Sequence, residues 1–211
     1  MGRFGQHLCK YLAEHGNQVM IIDQDEEKLE PVLEYATSSK IGDCTNVDVL
    51  TSLGLNNFDV VFICIGTDFQ SSLEATSLVK EMGAKKVVSK ATRDIQAKFL
   101  LRNGADEIIY PERDVAKVVA VTYSSENVFD YIEITEDYVI FEITPLPAWV
   151  GKSLSDLNLR NTRDITIIGI KTEGKGAPKI MPKASHIIQE HEHLILVCSQ
   201  ESMNLLLKEL S

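Results

Sequence analysis

Two glycines three residues apart, Gly2 and Gly5, open a helical run, and an aspartate, Asp23, closes the next apolar stretch. That spacing suits phosphate chemistry. A complete dinucleotide fingerprint is GxGxxG between a strand and a helix, with an acidic residue about 20 positions further on. "GRFG" (Gly2–Gly5) occupies the second and third glycine positions of that pattern. Gly2 would let the backbone approach an anion, and Gly5 would let the helix lie close to a sheet. The amides of the first helical turn would then meet the anion at the positive end of the helix dipole. Asp23 would accept hydrogen bonds from ribose hydroxyls and disfavour a 2′-phosphate. The competing explanation is a glycine turn used only for packing.

Further polar residues stand where strands are expected to end. Ligands of open parallel sheets bind at the carboxyl ends of the strands, near the point where the strand order reverses. "GDCT" supplies Asp43, "IGTDFQSS" supplies Ile65, Gly66 and Asp68, and "VVSK" ends in Lys90. Asp43 would serve the adenine or ribose side, and the backbone of Ile65 and Gly66 would line the base. Asp43 and Asp68 suit helix N-capping equally well. Cys44 and Cys64 flank the same region and read as small apolar fillers rather than nucleophiles. His186, His191 and His193 with Glu190 and Glu192 raise the question of metal, but no cysteine or third ligand has suitable spacing, so a polar strand edge is expected. Trp149 reads as an exposed loop anchor or a partner contact, and the sequence does not decide between them.

The elements that must hold these groups follow from the periodicity. Helical patterns at Gln6–Glu14, Glu26–Ala36 (where Pro31 should kink the helix or push its start later), 47–54, Gln70–Met82 and Ile95–Asn103 alternate with strand patterns at Gln18–Asp23, 38–43, Asp59–Gly66, Lys85–Lys90 and Glu107–Tyr110. Short-period βα alternation with near-continuous apolar strands indicates a doubly wound parallel sheet. After Pro111 the rhythm changes. A helix at Asp114–Ser125 leads to alternating strands (131–134, 139–143, 165–171, 178–182, 194–198), a turn at Gly174–Gly176 and a last helix at Ser202–Leu210. We therefore expect a nucleotide-binding domain at 1–112, a crossover helix and linker at 113–129, and a small α+β domain at 130–211.

Composition bounds the function. The 211 residues are 44% apolar and 25% charged, as in ordinary globular proteins. The longest apolar run, Val60 to Ile65, is far too short to span a bilayer. No secretory leader pattern opens the chain. Four scattered cysteines without a CxxC pair suggest reduced thiols. A formal charge of −10 argues against nucleic acid as a partner.

Together, "GRFG", "VMIID", "GDCT", "VVFICIGTDFQSS", "VVSKA" and "GADEIIYPERD" resemble the regulator-of-potassium-conductance (RCK) domain of cytosolic subunits of Ktr and Trk potassium uptake systems. The stretch from "VGKSLSDLNLRNTRD" to "HEHLILV" resembles that family's C-terminal domain, and the single N-plus-C arrangement is similar to the Ktr type. The resemblance implies a Rossmann-like fold and no enzymatic activity. It implies a homodimer that builds a ring, an octamer, on the cytoplasmic face of a membrane potassium channel or transporter subunit. It implies gating of that pore by ATP, ADP or NAD(H). Gly2, Arg3, Phe4, Gly5, Asp23, Asp43, Ile65, Gly66 and Lys90 match the family's nucleotide pocket. Glu112 matches an acidic residue near the phosphates, where a divalent cation sits. Arg160, Ile167, Ile168 and His186 lie in the stretch that binds cyclic di-AMP between two protomers in relatives.

Two alternatives remain from the residues alone, a nicotinamide-dependent oxidoreductase and a stand-alone nucleotide-sensing module. The sequence also departs from the family pattern. The strand leading into the glycine loop is missing, together with its first glycine. That strand is central in the expected 3-2-1-4-5-6 order. We therefore expect a truncated chain, with an unpaired slot between strand Val19–Asp23 and strand Val60–Ile65.

Overall fold

The computed structural model describes residues 1–172 and 177–210, so the turn expected at Gly174–Gly176 lies outside the described residues. The chain divides into two compact units, Met1–Arg113 and Asp114–Ser211.

The first unit alternates helices and parallel strands: α1 (Arg3–Glu14), β1 (Met20–Asp23), β2 (Ser38–Ile41), α2 (Val47–Thr51), β3 (Val61–Ile63), α3 (Phe69–Glu81), β4 (Val87–Lys90), α4 (Asp94–Arg102) and β5 (Glu107–Ile109). Helix α5 (Pro111–Thr122) begins at its end and runs on into the second unit. All strand pairs of the first unit are parallel, as in a doubly wound sheet. The sheet is nevertheless divided. Strand β1 pairs with β2, β3 pairs with β4 and β4 with β5, but β1 and β3 share no ladder. The expected interruption therefore falls where the pattern placed it. Each half keeps its own apolar core. Cys9, Ile21, Leu29 and Val32 pack together under β1. Leu50, Leu55, Ile63, Ala75, Val79 and Val87 pack where α3 covers β3 and β4.

Strand β4 is flanked on both sides, and Val87, Val88 and Ser89 are all buried, so burial runs continuously along it rather than alternating. Its buried polar member is satisfied, because the Ser89 hydroxyl lies 2.9 Å from that of Thr76 on α3. The helix expected over Glu26–Ala36 is replaced by two 3-10 turns, Glu26–Lys28 and Glu30–Val32. Pro31 has no amide proton and its ring crowds the preceding turn, so the segment cannot extend the i to i+4 ladder through it.

The second unit is built on an antiparallel sheet of β6 (Val128–Glu133), β7 (Tyr138–Ile143), β8 (Ile165–Thr172), β9 (Lys179–Ile180) and β10 (Glu192–Ser199), in the order β6-β7-β10-β8-β9. Helices α6 (Leu154–Leu157), α7 (Leu159–Arg163) and α8 (Gln200–Leu210) complete it. Buried and half-buried residues alternate along β10. Leu194, Leu196 and Cys198 thus enter the core with Tyr131, Phe141, Ile143 and Met203. Trp149 joins this core at 3% exposure, so neither role considered for it from sequence describes it. The sequence reading gave no helix at Ser153–Arg163. There Ser153 caps α6 by accepting from the Asp156 amide, while Asn158 and Asp164 adopt left-handed φ angles of 46° and 55° that end the two short helices. The four cysteines are unbridged.

Candidate functional site

Helix α1 begins at Gly2, whose extended backbone (φ −81°, ψ 175°) needs no glycine for its conformation. No side chain caps the helix, and its first turn carries no acidic residue. The leading amides therefore present the positive end of the helix dipole uncompensated. A Cβ placed on Gly2 would meet nothing within 4 Å. The space above the helix start is open to a ligand, and an anion is the chemistry that fits it. Arg3 is exposed and, among the described residues, has no hydrogen-bond or ion-pair partner.

Gly5 is buried where α1 crosses the end of β3; a Cβ there would lie 3.4 Å from Cys64 Cβ and 3.4 Å from Met1 Cε. Phe4, one residue earlier, has its ring 5.8 Å from Lys90 Nζ. Lys90 ends β4, and its ammonium lies 3.7 Å from where Gly66 would carry a Cβ. The same ammonium bonds Glu112 Oε1 at 2.7 Å, in the first turn of α5. Lys90 is thus a hub. Phe4, Gly66, Lys90 and Glu112 meet around one cation at the carboxyl ends of β3 and β4. The hydrogen bond from Lys90 holds the Glu112 carboxyl below the usual glutamate range. Ile65 is half-buried against the α3 core just before Gly66.

Asp23 ends β1 and occupies the other half of the divided sheet. Its Oδ1 accepts from the Asp25 amide at 3.0 Å, and its Oδ2 pairs with the Met1 amino group. Asp43 is exposed after β2 and folds back on its own loop, accepting 2.8 Å bonds from the amide and the hydroxyl of Thr45. Those bonds lower its pKa. Helix α2 is capped by Asn46, not by Asp43. Asp68, by contrast, is the N-cap of α3, accepting from the Ser71 amide and hydroxyl.

The thiols beside this region are poor nucleophiles. Burial pushes Cys64 up to about 11 and raises Cys44 as well. Among the described residues no group of three His, Cys, Asp or Glu side chains is placed to hold a metal ion. In the second unit Arg160 is exposed on α7, Ile167 and Ile168 are half-buried neighbours on β8, and His186 Nε2 is 2.9 Å from Glu192 Oε2. His193 is bonded through Nδ1 to Glu142 at 2.8 Å and stacks on Phe129 at 3.9 Å between centroids. Glu142 also accepts from Lys171 at 3.1 Å. This row was missed from sequence, where no local spacing joins β6, β7, β8 and β10. On β6 the register shifts between Val128 and Asp130, where both Phe129 and Asp130 are exposed.

Comparison with known proteins gives a consistent outcome. Residues 1–111 match the model of the TrkA-N domain, and residues 138–211 match that of the TrkA-C domain. The chain is 40% identical over 199 residues to Ktr system potassium uptake protein C of Bacillus subtilis (strain 168), covering 94% of this chain and 89% of that protein. It is 36% identical to Ktr system potassium uptake protein A of the same organism, covering 93% of this chain and 88% of that one. Among solved structures, the GsuK RCK domain superposes with a TM-score of 0.67 at 14% identity, over 100% of this chain and 46% of that one. The GsuK channel bound to NAD gives a TM-score of 0.68 at 13% identity, over 100% of this chain and 38% of that one. At such identities these two establish the fold. No helix among the described residues is long and apolar enough to cross a membrane.

Proposed function

The chain belongs to the RCK family, as a TrkA-N domain followed by a TrkA-C domain, and we propose that it is a nucleotide-binding regulatory subunit of a potassium uptake system. The observation that carries this reading is the convergence on Lys90. A cation at the end of β4 meets Phe4 from the uncapped start of α1, the Gly66 backbone after β3, and Glu112 at the start of α5. Potassium enters through the relatives, both named as Ktr system potassium uptake proteins.

In this proposal residues 1–112 bind the nucleotide, 113–129 connect, and 130–211 form the C-terminal regulatory domain. The amides following Gly2 and the side chains of Arg3 and Lys90 take the phosphates. Phe4 and Gly5 shape the loop, Asp23 takes the ribose hydroxyls, and Asp43, Ile65 and Gly66 line the adenosine. Glu112 stands at the phosphate end, where a divalent cation would offset the repulsion between its carboxylate and the ligand. ATP, ADP and NAD(H) all fit this division of labour; NADPH does not, because Asp23 would face its 2′-phosphate. The C-terminal domain is the place for a second ligand, cyclic di-AMP, with Arg160, Ile167, Ile168 and His186 as the residues to change. A homodimer assembling into a ring, an octamer, on the inner face of the membrane subunit would convert occupancy into gating.

Titration calorimetry with ATP, ADP, NADH and NADPH, paired with light scattering on the same samples, tests this. We expect binding of the first three and a nucleotide-dependent change in mass or shape. Failure of ATP, ADP and NADH alike to bind overturns the reading. Potassium flux through vesicles holding the membrane subunit, with and without this chain, tests the gating step.

A further inference from the structure

The Lys90–Glu112 pair joins two unequal partners. The Lys90 side chain is 12% exposed, whereas that of Glu112 is 62% exposed and stands in the first turn of α5. A largely enclosed ammonium needs an anion close by, and here the chain supplies its own. Nothing else among the described residues offers Lys90 an ion pair. The Phe4 ring lies 5.8 Å from its ammonium, and Gly66 adjoins it. Glu112 is placed differently. An acidic residue in a first helical turn is stabilised by the helix dipole even after its ion partner leaves. Lys90 therefore loses more by being left alone than Glu112 does.

We propose that Glu112 is an internal stand-in for a nucleotide phosphate. In the nucleotide-free chain it holds Lys90, and an incoming phosphate takes Lys90 from it by exchange of ion partners. This rests on the function proposed above and adds the regulation of that site. The exchange has two consequences. Glu112 is a competitor, so part of the intrinsic phosphate affinity is spent on displacing it. The exchange also ends at α5, the one helix that runs from the first unit into the second. Loss of the Lys90 tether from its first turn reports nucleotide occupancy to the segment connecting the two units. A free Glu112 carboxylate, close to newly bound phosphate, is then available to a cation it could not hold while paired.

A double-mutant cycle tests the exchange. ATP affinity is measured by calorimetry, in EDTA to remove divalent cations, for the wild-type chain, Glu112→Gln, Lys90→Met and the double variant. Exchange predicts that Glu112→Gln tightens ATP binding about two- to five-fold, the scale of a partly exposed ion pair. It predicts that the same change has no effect in the Lys90→Met background, because no pair is left to break. An equal gain in both backgrounds would mean that Glu112 acts only by repelling phosphate, and the proposal falls. A wild-type chain that binds neither ATP nor ADP overturns the proposed function itself, which separates the two failures. Should Lys90→Met not fold, amide hydrogen exchange over residues 112–116 gives an independent reading. ATP should speed exchange there in the wild type and leave Glu112→Gln, already untethered, unchanged. An ATP response of equal size in both chains overturns the proposal.

Discussion

Gly5 on α1 and Cys64 just after β3 meet face to face: a Cβ on Gly5 would stand 3.4 Å from the Cβ of Cys64. That is ordinary contact distance, not a clash. The helix lies as close to the strand end as a methyl group permits. Gly5→Ala should therefore leave the fold intact and raise its melting temperature slightly, since alanine is favoured over glycine in a helix by about 1 kcal/mol. Gly5→Leu should overfill the contact and cost about 1–3 kcal/mol. Gly2 makes the complementary test. Gly2→Val meets open space and suits the extended backbone, so stability should be unchanged while ATP affinity falls at least about tenfold. Thermal melts and calorimetry on the three variants separate the packing role of the loop from its binding role.

In the proposed site Asp23 is the group that would select the ribose. Replacing the carboxylate by alanine removes a charged acceptor, and charge-assisted hydrogen bonds contribute roughly 1.5–3 kcal/mol each. Asp23→Ala should weaken ATP, ADP and NADH by about tenfold or more, and the wild-type chain should prefer NADH to NADPH. Unchanged ATP affinity in Asp23→Ala would show that the ribose lies elsewhere.

Much of this architecture was legible in the sequence, because local patterns carry local structure. "DVVFICIG" reads as a parallel strand from its near-continuous apolar run, and β3 lies within it, paired in parallel with β4. "LILVC" reads as a strand although it is apolar throughout, and β10 fully buries only alternate residues of it. The misreadings have equally local causes. Pro31, expected to kink the Glu26–Ala36 helix or delay its start, replaces it with two 3-10 turns, and the capping pair Ser153 and Asp156 precedes a helix of only four residues. Trp149 sits in a proline-flanked loop that gives no hint of burial. The candidate site was legible as separate strand ends. The approach of Lys90 to Phe4, 86 positions apart in the chain, arises from the way α1 and β4 meet in three dimensions, and no spacing rule reaches that far.

The thiols supply a prediction in pH. Burial raises Cys64 from the ordinary 9.0 to about 11 in the folded chain. The folded state thus favours the neutral thiol. This contribution to stability is complete below pH 9 and declines as pH rises from about 9 towards 11, where the unfolded chain ionises first. At pH 7.5 the native thiolate fraction is about 100-fold below that of a free cysteine, so alkylation should be slower by about that factor and should accelerate on unfolding. Mass spectrometry after a timed iodoacetamide pulse measures it. Fast labelling of Cys64 in the native chain would mean that the crevice floor is open.

Helix α5 has no buried residue, and Val115, Val118 and Val119 are 61%, 37% and 48% exposed. A valine stripe left bare in the single chain is expected to be covered by a second copy. Light scattering should give a mass of at least a dimer, and Val115→Asp with Val119→Asp should reduce it without loss of helical signal. A monodisperse wild-type monomer at high concentration would rule this out.

The antiparallel sheet places β10 at its centre, between β7 and β8, although β10 is the last of its strands in sequence. During synthesis strands β1 to β5 of the first unit have all emerged once Ile109 has, and can collapse while the ribosome is still adding the second unit. The second unit has no such option. Its early strands β6 and β7 can form only a marginal hairpin, and β8 has no central neighbour until residues 192–199 appear. A nascent chain halted near residue 190 should therefore be protease-resistant up to α5 and cleavable beyond it, with resistance appearing in one late step as β10 clears the exit tunnel.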